Sequence, residues 1–371
     1  MIFKRRHAKM PAHPHGADGP YPSKLHALLK TREGVRYFVA ALVLIIAAGT
    51  GVLWYISTFD VGVTQDSMTK LTPKPKFYSP LTGNQVPDEA TTQKAVTAIM
   101  IENSPDARPQ SGLKEAGVVY EAVAEGGITR FIALYQESRP GLVGPVRSVR
   151  PYYVEWASAY DPATVHIGGS ARGLEMIRSG NYGVDLDQFF NAGAFWRADD
   201  RAAPHNVYTN FDRLDALRES KGKTTSTFES FARKDTKPLP TPTATQIEVG
   251  VSSGSFLVNY NYDAASNSYA RSQGGEDHND REAGRITPRV VVAIKVPMSY
   301  GMEDGMREQI TTTGTGQAYI FQNGIVIEGS WQRDSATSPL RLLDANGQDI
   351  VLARGQTWIT ALATNRNVSW Q

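Results

Sequence analysis

From Tyr37 to Phe59 the chain carries 23 consecutive uncharged residues, most of them Ala, Val, Leu and Ile. At 1.5 Å of rise per residue, about 20 such positions cross a hydrocarbon layer roughly 30 Å thick, so the segment reads as a transmembrane helix. Tyr37, Trp54 and Tyr55 lie near its two ends, where amphipathic rings favour the membrane interface. A cleaved signal peptide is the alternative, but the leader of 36 residues is long and the apolar run exceeds the usual 7–15 residues of such signals. The chain has no Cys, which removes lipid attachment through cysteine, disulfide bonds and thiolate chemistry together.

Charge then orients the segment. Residues 1–36 hold eight Lys/Arg and two acids, a balance of +6, and the flanking positive excess places this end in the cytoplasm. Of the 39 basic and 37 acidic residues in all, 31 and 35 remain from Asp60 onward, a net of −4. Residues 60–371 are therefore expected outside the membrane, as a mildly acidic body unlike a nucleic-acid binder. The first 36 residues, rich in Pro and His and without apolar periodicity, read as a disordered basic tail.

Residues 60–76 read as a stalk, and Pro238, Pro240 and Pro242 mark a second break at 231–247. Between them, 77–230 alternates strand and helix signals. Ala95–Glu102, Val118–Val123 and Ile128–Gln136 are apolar and β-branched, with Gly126-Gly127 suited to a hairpin turn between the last two. Tyr152, Trp156 and Tyr160 recur at helical spacing. Residues 248–371 hold seven strand-like runs separated by turns such as Asn323-Gly324, which supplies the positive φ a tight hairpin needs. The fold expected is α+β or α/β: a transmembrane helix, a layered α/β domain and a mainly antiparallel β domain.

Three motifs concentrate chemistry. In Gly144–Pro151, Arg147 and Arg150 stand three apart at the start of a predicted helix, where two guanidiniums on one face suit a phosphate or carboxylate. Structural ion pairs with Glu121 or Glu125 are the equal alternative. In Phe195–Thr209, Arg201, His205 and Asn206 sit on a Gly/Ala/Pro-punctuated loop, with His205 suited to acid–base work or simply to holding the loop. In Gly274–Asp280, His278 and Asp280 form an H-x-D that fits two metal ligands, an oriented histidine or a solvated turn. His166 precedes Gly168-Gly169-Ser170 at a strand end, where open α/β sheets place their sites, but Ser170 is not in a nucleophile elbow.

The ordered string Pro80–Gly83, Ile101-Glu102-Asn103, Ala107–Leu113, Glu125–Arg130, Gly144–Pro151, His166–Ser170, Arg201–Thr209, Gly274–Asp280 and Gly355–Ile359 resembles the YerB-like family of bacterial envelope lipoproteins. That family is a domain of unknown function in N- and C-terminal portions. The resemblance implies an extracytoplasmic protein held at the membrane, here by a helix in place of a lipid-modified Cys, and implies no reaction. A weaker likeness, to LytR-type glycopolymer transferases, rests on the single anchor, Glu102 and Asn103 on a strand, Arg108 soon after, and Pro145-x-Arg147. It implies arginines and acids holding a polyprenyl-linked pyrophosphate with magnesium, although Ser148 follows Arg147 where those enzymes carry an acid.

Two functions follow. In the first, Arg108, Arg130, Arg147, Arg150 and Arg201, with His166, Asn206, His278 and Asp280, bind an anionic envelope glycan or lipid pyrophosphate, and Glu102, Glu125 or His205 serves as acid or base. This expects the arginines to converge in one cleft. In the second, the protein is a non-enzymatic envelope scaffold whose arginines are structural.

Overall fold

The computed structural model describes residues 31–58, 75–301, 305 and 307–371. The basic tail, apart from its last residues, and nearly all of the expected stalk lie outside these. Helix α1, Arg32–Thr58, covers the apolar run from Tyr37 to Thr58 and leaves Leu44, Ile45 and Trp54 about 70% exposed. A helix this long and apolar, with these side chains exposed, is one that a bilayer can cover.

Residues 75–371 form one compact unit. Its two principal sheets use fifteen strands: β1 Thr97–Glu102, β2 Val118–Glu125, β3 Ile128–Tyr135, β4 Ala163–His166, β5 Val184–Asp187, β6 Gln246–Val249, β7 Val258–Asp263, β8 Ser268–Gln273, β9 Glu276–Asp277, β10 Val290–Val296, β11 Gly314–Gln322, β12 Ile325–Arg333, β13 Arg341–Leu343, β14 Thr357–Ala363 and β15 Val368–Trp370. Ten make a mixed sheet in the order β13-β12-β11-β10-β14-β2-β3-β1-β4-β5, and five make an antiparallel sheet, β9-β8-β7-β6-β15. The mixed architecture and the antiparallel sheet agree with the fold read from sequence. Thr357–Thr360 of β14 pair in parallel with Val118–Glu121 of β2, so the sequence halves on either side of 231–247 share one continuous sheet. The central strands are buried on both faces, which is why they read as unbroken apolar runs rather than alternating ones.

The sheet has two differently covered faces. On one, helices α2 (Pro151–Ser158) and α3 (Ala171–Arg178) bury Tyr152, Tyr153, Trp156 and Met176 against Met100, Ile132 and Ile359. On the other, the five-stranded sheet and helix α4 (Phe211–Ser220) bury Ile247, Val258, Tyr260 and Leu214 against Val119, Phe131 and Trp358. Gly126 and Gly127, both at positive φ, close the β2–β3 hairpin as expected. Asn323 and Gly324 do the same for β11–β12, with φ of 59° and 80°.

One local expectation is corrected. Arg147 and Arg150 do not share a helical face, because Pro151 is the first residue of α2 and Arg150, its cap, is extended at φ −130°, ψ 155°. A residue before proline is pushed out of the helical region by the ring, so the helix cannot reach back to Arg147.

Candidate functional site: a cleft beside the end of strand β1

Strand β1 ends at Glu102, and two later segments are laid beside that end. Glu102 N–H donates to Pro145 O (2.9 Å) and Arg147 N–H to Met100 O (2.9 Å), which docks 145–147 along the strand. Val146 N–H in turn donates to Val207 O (2.7 Å), bringing in the loop that precedes α4. The end of β1 and two of the motifs, Gly144–Pro151 and Phe195–Thr209, thus meet at one carboxylate. Glu102 Oε1 lies 2.9 Å from His205 Nδ1, accepts from Ser104 Oγ at 2.9 Å and is 3.2 Å from Arg147 Nε. Its other oxygen is buried without a hydrogen-bond partner.

This arrangement fixes the imidazole. Nδ1 faces a carboxylate oxygen and so carries a hydrogen, and Nε2 points outward with Asp106 Oδ2 4.0 Å away. The His205 side chain is 21% exposed, whereas that of Glu102 is 5% exposed. Nε2 therefore opens on a cleft of about 670 Å³ lined by Asp106, Arg108, Asp200, Arg201, His205 and Arg281, with Ala202 and Ala203 at its edge. Three guanidiniums against two carboxylates leave the lining net positive, although residues 60–371 as a whole are net negative.

Each arginine is braced and keeps hydrogens to spare. Arg108 donates from Nε and Nη2 to the side chain and backbone of Asn103 and from Nη2 to Ser255 O, and stacks 5.0 Å from the Phe256 ring. Burial, then repulsion from Arg271, lowers its pKa. Arg201 donates to Asp106 O (3.2 Å) and Pro109 O (2.6 Å). Arg281 pairs with Asp200 and is carried by a backbone bond from its own N–H to Gln110 O (2.7 Å). Asn206 closes the loop, donating to Ala198 O and Arg201 O and accepting from Arg197. Chemically the cleft offers fixed donors for an oxyanion and one imidazole nitrogen able to take or give a proton.

The other named residues are placed elsewhere. Arg130 and Arg150, each 3% exposed, both grip Glu125, which Arg307 also approaches at 3.7 Å. Burial pushes the Glu125 carboxyl up, but Arg130 and Arg150 outweigh it and bring its pKa to about 2. His166 is fully buried, with its ring nitrogens 2.8 Å from Gly168 O and 2.9 Å from Asp185 Oδ1. Asp280 caps its own turn through Glu282 N–H and Ala283 N–H and accepts from Lys114 N–H.

His278 belongs to a buried polar network that joins the sequence halves. Its Nδ1 accepts from Arg271, and its Nε2 is 2.9 Å from Gln110 Oε1. Burial, reinforced by Arg271, drives its pKa well below the ordinary value. Arg271 also pairs with Glu121 at 2.8 Å, both fully buried, and Trp358 Nε1 donates to the same carboxylate at 2.9 Å. His278 and Asp280 thus address different partners and do not form a ligand pair. Among the described residues no group of three or more His, Asp or Glu is arranged to hold a metal ion. Arg281 was not singled out in the sequence, although it stands one residue beyond the Gly274–Asp280 motif. The Glu121–Arg271 pair, 150 residues apart, left no local signal.

Comparison with known proteins agrees with this architecture. Residues 81–225 match the model of the N-terminal domain of a protein of unknown function, DUF3048, and residues 247–359 match its C-terminal domain. The Bacillus subtilis (strain 168) protein described as "Putative lipoprotein YerB" is 35% identical over 290 residues, covering 76% of this chain and 86% of that one. The crystal structure of YerB protein from Bacillus subtilis superposes with a TM-score of 0.70 at 31% identity, over 79% of this chain and all of that one. With both portions present in order and the fold shared, the chain belongs to the YerB-like family of DUF3048 proteins.

Proposed function

We propose that this is a membrane-anchored extracytoplasmic protein that binds an anionic envelope ligand, a glycan or lipid carrying phosphate or pyrophosphate, in the cleft formed by Arg108, Arg201, Arg281 and His205. The positive end of the chain before α1 stays in the cytoplasm and the compact unit lies outside. The observation that carries the reading is the Glu102–His205 pair. A buried carboxylate orients an imidazole so that its free nitrogen faces a cleft rimmed by guanidiniums, and a purely structural histidine has no need of that exit. His205 acts on the bound ligand as the proton donor or acceptor, and Arg147 holds Glu102 in place from behind.

The test is thermal stability of the full chain in nanodiscs against pyrophosphate and polyprenyl phosphate, with and without magnesium. Binding to the folded state alone adds RT ln(1 + [L]/Kd), about 2.7 kcal/mol at a hundredfold excess over Kd. The expected result is a shift that Arg201→Gln abolishes. If no anion shifts the transition, the cleft is no anion site and the scaffold reading replaces this one.

A further inference from the structure

Strand β5, at one edge of the ten-stranded sheet, runs straight into a tight turn that exposes two adjacent phenyl rings. Phe189 is 69% exposed and Phe190 71%. Among the described residues of 75–371 no other large apolar side chains are exposed side by side. A single exposed apolar residue is ordinary, but a contiguous pair on a structured turn asks for a partner.

The turn is held firmly. Asp187, fully buried, accepts at Oδ1 from Gly168 N–H (3.1 Å) and Phe189 N–H (3.2 Å), and at Oδ2 from Arg178 Nη2 (3.1 Å). Its carbonyl accepts from Phe190 N–H (3.1 Å) and Asn191 Nδ2 (2.8 Å). Phe189 lies across Gly168, which sits at φ +61° and whose added Cβ would come within 3.1 Å of the ring. The Arg178 guanidinium stacks 5.1 Å from the Phe190 ring while remaining 43% exposed. Both rings are thus held mostly exposed by local contacts, with a guanidinium beside Phe190.

We infer that Phe189 and Phe190 form a second, interfacial contact with the bilayer that α1 enters. This rests on the anchoring by α1 and not on the anion cleft. Residues 59–74 join Thr58 to Pro75, and a fully extended chain of that length spans about 60 Å, so with α1 in the bilayer the compact unit stays tethered to the lipid surface. At such confinement a weak apolar contact becomes effectively intramolecular. Arg178 is already countered by Asp187 at 3.1 Å and Asp185 at 3.8 Å, so the contact is an apolar one: phenyl rings at the headgroup boundary match the chemistry of an interfacial anchor.

The absence of cysteine makes the test clean. Ala192, exposed two residues beyond the pair, is replaced (Ala192→Cys) and labelled with an environment-sensitive fluorophore in the full chain, in nanodiscs of phosphatidylglycerol and phosphatidylethanolamine. The same label at Ala345 (Ala345→Cys), exposed in the turn that follows β13, is the aqueous reference. The expected result is blue-shifted emission at position 192 that Phe189→Ser/Phe190→Ser returns to the reference value. The double variant should melt close to the parent, since the rings it removes are mostly exposed and lose only the Gly168 and Arg178 contacts. A water-like signal at 192 in a chain that has inserted into the nanodisc overturns the inference, as does a blue shift that survives the double substitution. A chain that fails to insert overturns the anchoring on which the inference stands, and with it the inference.

Discussion

Glu125 and Glu102 look like twins in the sequence and have opposite fates in the fold. Both end a strand, both lie near Gly/Pro turns, and each receives an arginine from the 147–150 segment. Glu125 is gripped by Arg130 and Arg150, each of which also donates from Nη1 to a backbone carbonyl, Ser148 O and Val149 O respectively. Glu102 takes only one arginine and passes its second strong contact to a histidine that opens on a cleft. Charge and spacing alone do not distinguish these two carboxylates. The separation lies in whether the partner has an atom left over and faces solvent.

The largest expected effect tests the structural side. Glu125→Gln leaves two nearly buried guanidiniums without a counter-charge, and unpairing buried charges is among the most destabilising single changes. A loss of about 2 kcal/mol, discounted for the partial exposure of Glu125, is expected in urea unfolding, with the pyrophosphate-induced shift retained. If the variant kept its stability and lost the shift, the two glutamates would have to exchange roles.

The same carboxylate gives a pH signature. Its folded pKa of about 2 lies below the unfolded value of 4.5, so its stabilisation is fully present above pH 4.5 and fades as pH falls towards 2. With the side chain 34% exposed and therefore screened, the contribution is about 1–2 kcal/mol. The stability difference between parent and Glu125→Gln should thus be flat above pH 5 and shrink steadily between pH 4.5 and 2.

A contrast of histidines sharpens the point. His278 is buried and held neutral between Arg271 and Gln110, so only the unfolded chain takes up its proton. Its contribution is intact above pH 6.5 and declines below it, by about 1.4 kcal/mol per pH unit. His278→Gln should remove that slope from the pH profile of unfolding, while His205→Gln should leave the slope and remove ligand binding.

Much of this fold was legible because its signals are local. The apolar run of α1, the β2–β3 hairpin at Gly126-Gly127 and the Asn323-Gly324 turn follow from neighbouring residues. The pairing of Arg150 with Glu125 was one of two readings the motif allowed. Arg281 and the Glu121–Arg271–Trp358 network were not legible, because each contact joins the two sequence halves through tertiary packing. The merging of those halves was hidden for the same reason, since parallel strands such as β2 and β14 pair without any turn to announce them.

The smallest effect on stability is the most discriminating for function. Arg281 and Asp200 form a pair whose side chains are 36% and 52% exposed, and such pairs contribute about 0–1 kcal/mol. Arg281→Gln should therefore scarcely move the unfolding midpoint. If the cleft binds an anion, the same change removes one of three lining guanidiniums, and loss of one charge-assisted hydrogen bond weakens binding by about tenfold or more. Arg341→Gln supplies the control, since its pair with Asp349 is similarly exposed and Arg341 does not line the cleft. Equal small losses of stability in both variants, with pyrophosphate affinity reduced only in Arg281→Gln, would place the function in the cleft. Equal affinities would show that this rim carries surface charge and nothing more, leaving Glu102 as structural as Glu125.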